Sequence, residues 1–219
     1  MKTVIIGGHG KVALLTAPLL RQAGDEVTSV IRNPDQIPDV EAAGATPLVL
    51  DVESASRDQF AAAFAGADAV IWSAGAGGGN PQRTYAVDRD AAIRSIDAAE
   101  QAGVLRYIMV SYAGASLDHG VNPADSFYPY AQAKAAADEY LRESALHWTI
   151  LGPSMLTLEA PTGRIRAARA NGGDIVRGPT SRGNVARAIA AALTDNKTIG
   201  KKIDFADGDT EIAQALHAA

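Results

Sequence analysis

The chain has 219 residues, 47% of them apolar and 21% charged, the proportions of an ordinary globular protein rather than a disordered, collagenous or fibrous one. A formal charge of −5 excludes the basic field that a general nucleic-acid or anionic-membrane surface needs. The absence of cysteine excludes disulfides, zinc–thiolate sites, iron–sulfur clusters and thiol nucleophiles. Only three apolar residues follow Thr3 before the first glycine, and no run approaches the ~18 residues of a membrane span, so the expectation is a soluble, cytoplasmic protein.

In chain order, short β-branched runs predict strands at 3–6, 26–31, 46–50, 68–73, 106–111 and 147–151. Ala-rich stretches between them predict helices at 11–23, 34–43, 57–64, 81–102 and 124–144. The strands are almost continuously apolar, as they are when both faces of a sheet are covered. Their alternation with helices implies right-handed βαβ units and a mainly parallel sheet. Asn33-Pro34 and Asn80-Pro81 read as an N-cap followed by a first-turn proline, and Gly24 and Gly103 sit where a left-handed C-terminal residue is wanted. Beyond 151 the pattern loosens, with a last helix predicted at 182–194 and a strand near 203–206. No repeat and no linker divides the chain. The expectation is one domain over 1–219, with 152–180 contributing the substrate side.

The first strand runs into the first helix through Gly7-Gly8-His9-Gly10-Lys11-Val12-Ala13, in which Gly7, Gly10 and Ala13 have a G-x-x-G-x-x-A spacing. Gly7 permits a tight turn, Gly10 lets the backbone approach a pyrophosphate, and Ala13 lets the helix pack on the strand. Backbone N–H groups at the helix start then attract phosphates, which makes Gly7, His9, Gly10, Lys11 and Val12 the expected cradle. A site for NAD usually carries an acid at the end of the second strand; this chain reads Val30-Ile31-Arg32-Asn33. Arg32 suits a 2′-phosphate, so NADP is the expected cofactor and NAD the less favoured one. Asp51 and Val52 end the third strand, and Ser73, Ala74 and Gly75 end the fourth, at the carboxyl edge where ligands of open α/β folds bind. Asp51 reads either as an acceptor for an adenine amino group or as a turn residue, and the glycines at 75–79 either as a cofactor loop or as a mobile one.

Tyr130 and Lys134 stand at i and i+4 on one face of a predicted helix. An ammonium beside a phenol is expected to lower its pKa from about 10, and the pair can serve proton transfer and ribose binding. The four histidines, His9, His119, His147 and His217, show no ligand spacing, and no metal is expected.

With those residues in place, the chain resembles the short-chain dehydrogenase/reductase superfamily, in particular its atypical, NmrA-like and sugar-epimerase-like bacterial members. The resemblance spans nearly the whole chain: the glycine turn, Val30 to Pro34, the glycines after the fourth strand, Tyr130 to Lys134, Trp148 to Pro153 and the helix start at Thr180 to Ala186. It implies a Rossmann-type doubly wound α/β fold, with Tyr130 as proton donor, Lys134 beside it, and Ser111 as a possible stand-in for the substrate-orienting serine. It also implies that Pro153 flanks the cofactor. Three positions depart from the pattern. Tyr112 occupies the usual second-serine slot, Gly152-Pro153-Ser154 replaces Arg-Pro-Gly, and Asn184 replaces a frequent aspartate.

The expected activity is NADP-dependent reduction of an unidentified small molecule. The alternatives are an NADP(H)-binding sensor without turnover and, less favoured because little chain follows Ser154, a nucleotide-sugar epimerase-like enzyme. Residues 112–128 and 154–174 are the expected substrate-pocket segments. Tyr112, Phe127, Tyr128 and Tyr130 are expected to gather beside the nicotinamide as ring walls. Monomer and dimer are both left open.

Overall fold

The structure is a computed structural model that describes residues 1–77, 79–171 and 175–219. Apolar side chains on both faces of the short strands leave the sheet no face for water, and helices close over both. Six parallel strands form in chain order: β1 (Lys2–Ile6), β2 (Glu26–Ile31), β3 (Thr46–Val49), β4 (Ala69–Trp72), β5 (Arg106–Val110) and β6 (His147–Pro153). Two small strands, β7 (Met155–Thr157) and β9 (Pro179–Ser181), pair with each other. The antiparallel β8 (Arg164–Ala167), the parallel β10 (Lys201–Asp207) and β11 (Thr210–Glu211) complete the main sheet. Its order is β11-β8-β10-β6-β5-β4-β1-β2-β3, a doubly wound Rossmann-type α/β fold in a single domain.

Helices α1 (Lys11–Gln22), α7 (Arg182–Thr194) and α8 (Ile212–Ala218) cover one face, packing on Ile5, Ile71, Ile108, Leu151 and Phe205. On the other face α3 (Arg57–Phe64), α5 (Ala92–Ala102) and α6 (Tyr128–Glu143) pack on Val70, Trp72, Tyr107, Met109 and Ile150. A 3-10 turn at Pro34–Gln36 leads into α2 (Ile37–Ala42). The expected caps form: the Asn33 and Asn80 side chains accept the N–H groups of Asp35 and Arg83, and Gly24 and Gly103 are left-handed.

Three expectations are corrected. The helix expected over 81–102 changes pitch, from α4 (Pro81–Thr84) through a π-helical stretch at Tyr85–Ala91 to α5. The helix expected from 124 starts at Tyr128, because the N–H groups of Ala124 and Asp125 are taken by Asn122 in a turn. The helix at 182–194 is not the last, since α8 follows it. Among the described residues no helix is long and apolar enough to cross a membrane.

At the amino edge of the sheet, the buried Arg106 ties strand to helix ends. Its guanidinium donates to the His147 carbonyl at 2.7 Å, Thr149 Oγ1 at 2.9 Å and Thr198 Oγ1 at 3.0 Å, and to the carbonyls of Ala192 and Leu193 at the end of α7. Burial pulls its pKa down to about 10, the mark of a charge retained only because every donor is engaged. Arg106→Met strands those carbonyls and is expected to lower unfolding free energy by about 3 kcal/mol, read from urea denaturation.

Candidate functional site

Strand order reverses between β1 and β4, and the crevice at such a point is where open α/β sheets bind ligands. Gly7 turns the chain there at φ +81°; a Cβ on it would stand 2.6 Å from Ala74 Cα, so only glycine lets the two strand ends meet. Gly10 donates its N–H to the Gly7 carbonyl at 2.8 Å and opens α1 without a side-chain cap. The first-turn N–H groups of Lys11 and Val12 therefore face the crevice unclaimed by a cap. Their side chains take no part: Lys11 points to solvent and Val12 enters the core.

A groove of about 270 Å³ extends from this turn, lined by Gly7, His9, Gly10, Arg32, Asp51, Val52, Ser73, Ala74 and Gly75. These are the residues expected from the sequence, brought together by four strand ends. Arg32 is exposed and has no hydrogen-bond or ion-pair partner among the described residues. Asp51 lines the groove and also makes a turn, accepting the Glu53 N–H at 3.1 Å. His9 reaches Asp39 at 2.7 Å. Pro153 does not line the groove; its carbonyl accepts the Ala113 N–H inside the sheet edge. Gln36, Glu53 and Arg83 line the groove without having been singled out in the sequence. Glu53 and Arg83 pair at 2.9 Å, while Arg94 holds the carbonyls of Val52, Glu53 and Ala55. Nothing local marks them, since their relation depends on α4 and α5 crossing the β3 loop.

The loop after β4 separates the groove from a cavity of about 300 Å³ that Tyr130 lines with Gly79, Asn80 and Thr84; Gly78 lies outside the described residues. Tyr130, Tyr112 and Phe127 form the expected ring cluster, with centroids 5.3–5.6 Å apart. Tyr128 is not part of it and packs on His119 instead.

Lys134 is 1% exposed, and its Nζ donates to the Val110 carbonyl at 2.7 Å. It does not lower the Tyr130 pKa as the sequence suggested. Burial pushes that phenol up, and the carboxylates of Asp88 and Asp138 push it further. Asp88 is the residue that sequence reasoning missed. It sits on the π-helical stretch, accepts the Ala76 N–H at 3.0 Å, and crowds Gly75 so closely that a Cβ there would stand 3.1 Å from its Oδ1. Burial raises its pKa and the Lys134 charge opposes the rise. A π-turn at a functional site was the available signal, but a π-turn has no sequence period to reveal it.

Ser111 is buried and donates its hydroxyl to Asp138 Oδ2 at 2.6 Å. Asp138 lies on the buried face of α6, its carboxyl pushed up to about 6 by burial, with Lys134, the Ser111 hydrogen bond, Lys202 and Arg142 opposing.

The expected substrate segments do meet. Residues from 114–119 and 168–175 line a third cavity, of about 440 Å³, beside α6; Gly172, Gly173 and Asp174 lie outside the described residues. Its floor holds a buried Lys202–Asp204 ion pair at 2.6 Å. Gly152 makes room for it, since a Cβ on Gly152 would stand 2.1 Å from Asp204 Oδ1. That crowding is the physical content of the departure at 152. At Asn184, the amide bonds Asp207 Oδ1 at 2.7 Å and the Gly163 N–H at 2.9 Å, joining α7 to β10.

A turn, groove and strand order of this kind define a dinucleotide-binding fold, and the chain belongs to the NAD(P)H-binding family, whose model matches residues 7–196. It is 37% identical over 218 residues, 99% of each chain, to the Bacillus subtilis (strain 168) protein YhfK, described as an uncharacterized sugar epimerase. Among solved structures it matches a Bacillus halodurans protein, provisionally assigned as an NAD-dependent epimerase/dehydratase, with TM-score 0.90 and 33% identity over 100% of both chains. The Lactococcus lactis oxidoreductase ylbE matches with TM-score 0.87 and 30% identity, over 99% of this chain and 95% of that one.

The raised Asp138 pKa fixes a pH dependence. Its folded value, about 6, exceeds the unfolded value of about 3.9, so its proton favours the folded state. Stability from this group is full below about pH 4 and is lost as pH rises through about 6. Urea denaturation across that range should show wild type losing roughly 2 kcal/mol relative to Asp138→Asn as pH rises. Parallel profiles for the two proteins would refute the assignment.

Proposed function

We propose that the protein is an NADP-dependent oxidoreductase acting on a small carbonyl or similar acceptor, with Tyr130 as its proton donor. The observation that carries this reading is the groove itself: a glycine cradle at the strand-order reversal, with an exposed guanidinium, Arg32, at the β2 end and no acid in the ribose position. The cradle fits a pyrophosphate because the Gly7 turn has no side chain to intrude and the uncapped α1 turn offers N–H donors. When bound, the nicotinamide supplies or accepts hydride.

The chain's own residues divide the remaining work. Arg32 would hold the 2′-phosphate, which a carboxylate there would repel. Glu53 and Arg83 bound the adenosine side. Tyr130, kept protonated at neutral pH by burial and two neighbouring carboxylates, holds a proton at its phenol oxygen for the acceptor oxygen. Lys134, one turn on along α6, is a buried positive charge that Asp88 and Asp138 balance. Residues 152–180 supply the substrate side through β7, β8 and the chain beyond them.

One observation favours the sensor alternative: Ser111 donates its hydroxyl hydrogen bond to Asp138 rather than toward an open cavity. Turnover separates the two readings. Arg32→Ala should weaken NADPH binding about tenfold or more and leave NADH nearly unchanged, by fluorescence titration. Tyr130→Phe should lower kcat on any accepted aldehyde, ketone or quinone by 10²–10⁴-fold, roughly, with NADPH affinity retained. Tight NADPH binding with no turnover on the whole panel would establish the sensor instead.

A further inference from the structure

One stretch of the groove's wall is a loop with little of its own to hold it in place. Leu50, Asp51, Val52 and Glu53, between β3 and α3, line the groove in succession. Asp51 and Ser54 are exposed, and Val52 and Glu53 only half-buried, so apolar burial does not anchor the crest of the loop. Hydrogen bonds inside the loop give it its shape. The Asp51 carbonyl accepts the N–H groups of Ser54 at 3.2 Å and Ala55 at 2.9 Å, and its carboxylate accepts that of Glu53 at 3.1 Å. Such bonds close a turn on itself and would survive its moving as a unit.

The two ends of the loop are fixed, by the Leu50 N–H on the Ile31 carbonyl at 2.8 Å and by the buried Ala55. Between them the ties come from the helical run that joins β4 to β5. Arg94, in the first turn of α5, donates from Nε to the Ala55 carbonyl at 3.0 Å. One of its terminal nitrogens donates to the carbonyls of Val52 at 3.2 Å and Glu53 at 3.0 Å. Three carbonyls of one loop thus converge on a single guanidinium, whose rigid planar fork fixes where they stand relative to α5. Arg94 is half-buried and has no carboxylate partner among the described residues, so its donors serve the backbone. It does not itself line the groove. Arg83 of α4 adds a second tie, from side chain to side chain, at Glu53.

We propose that Arg94 is a positioning residue for the adenosine half of the cofactor: it holds the Asp51–Glu53 wall in place before the adenosine arrives. The inference rests on the reading of the groove as an NADP site given above. A wall already in place leaves less of the loop to be ordered on binding, and affinity rises accordingly. Arg94 does this without touching the cofactor.

Fluorescence and calorimetric titration of wild type, Arg94→Met and Arg106→Met with NADPH and with 2′,5′-ADP, the adenosine half alone, tests the assignment. Arg94→Met should weaken both ligands about tenfold, and by the same factor. Arg106→Met acts at the amino edge of the sheet, away from the groove, and should leave both affinities unchanged although it lowers stability. Hydrogen exchange over residues 50–56 should quicken in Arg94→Met and slow again with saturating 2′,5′-ADP, while exchange in α5 stays as in wild type. Arg94→Lys can still donate to these carbonyls and should fall between wild type and Arg94→Met; it carries the same comparison if Arg94→Met does not fold. Equal affinities for wild type and Arg94→Met overturn the proposal. So does NADPH weakened with 2′,5′-ADP unaffected, or a loss of the same size in Arg106→Met. Failure of wild type to bind either ligand would instead overturn the NADP reading, and the exchange comparison would still decide whether Arg94 holds the loop.

Discussion

Lys134 is an ammonium held almost entirely out of water, and the layer between sheet and α6 is organised around that fact. An isolated buried charge costs several kcal/mol, so its neighbours must return that energy through opposite charge and hydrogen bonds. The Val110 carbonyl takes one proton of Nζ, and Asp88 and Asp138 supply opposite charge from separate helices. The pattern continues outward: Asp138 accepts from Ser111 and feels Lys202, which closes on Asp204. Charges of alternating sign thus run from the loop after β4 to the cavity over β10. Removing one member leaves its neighbour unpaired, which is why the Tyr130 region and the outer cavity are not independent pieces of chemistry.

Several backbone features answer to this layer rather than to general packing. The π-helical stretch places Asp88 inward, where its carboxylate meets the Ala76 N–H. Gly152 is glycine because a carboxylate oxygen of Asp204 occupies the space of a side chain, and Gly75 lies tight against the Asp88 carboxylate. Gly7 obeys a different constraint, the approach of β1 and β4 at the strand-order reversal. The groove needs small residues because backbone meets backbone there, whereas the layer under α6 needs them because charges must fit beneath a helix.

The alternation of apolar runs and Ala-rich stretches made the first six strands and their helices legible, since burial of most of them on both faces imposes it directly on the sequence. Asn33, Asn80, Gly24 and Gly103 marked helix ends through local chemistry, and those ends form. The peripheral strands β7, β8, β9 and β11 were not legible because two to four residues carry no period. The glycine turn and Arg32 could be read because their relation to one another is set by a βαβ unit of fixed hand. Asp88, Glu53 and Arg83 could not, because each acquires its neighbours from elements distant in sequence. Val12, Lys11 and Pro153 show what a motif leaves open. A motif names positions, but only backbone N–H groups of the first two face the crevice, and the third closes a strand edge.

The raised Tyr130 pKa changes what the Tyr–Lys pair can be for. A phenol whose pKa is lowered toward neutrality can both release and take up a proton. One buried among two carboxylates is held as the neutral acid and resists becoming phenolate. Such a group donates well only if the phenolate left behind is stabilised once the proton has gone, and the neighbouring Asp88 and Asp138 carboxylates work against that anion. In the proposed reaction Tyr130 would therefore enter as the neutral acid, the form that burial and both carboxylates favour.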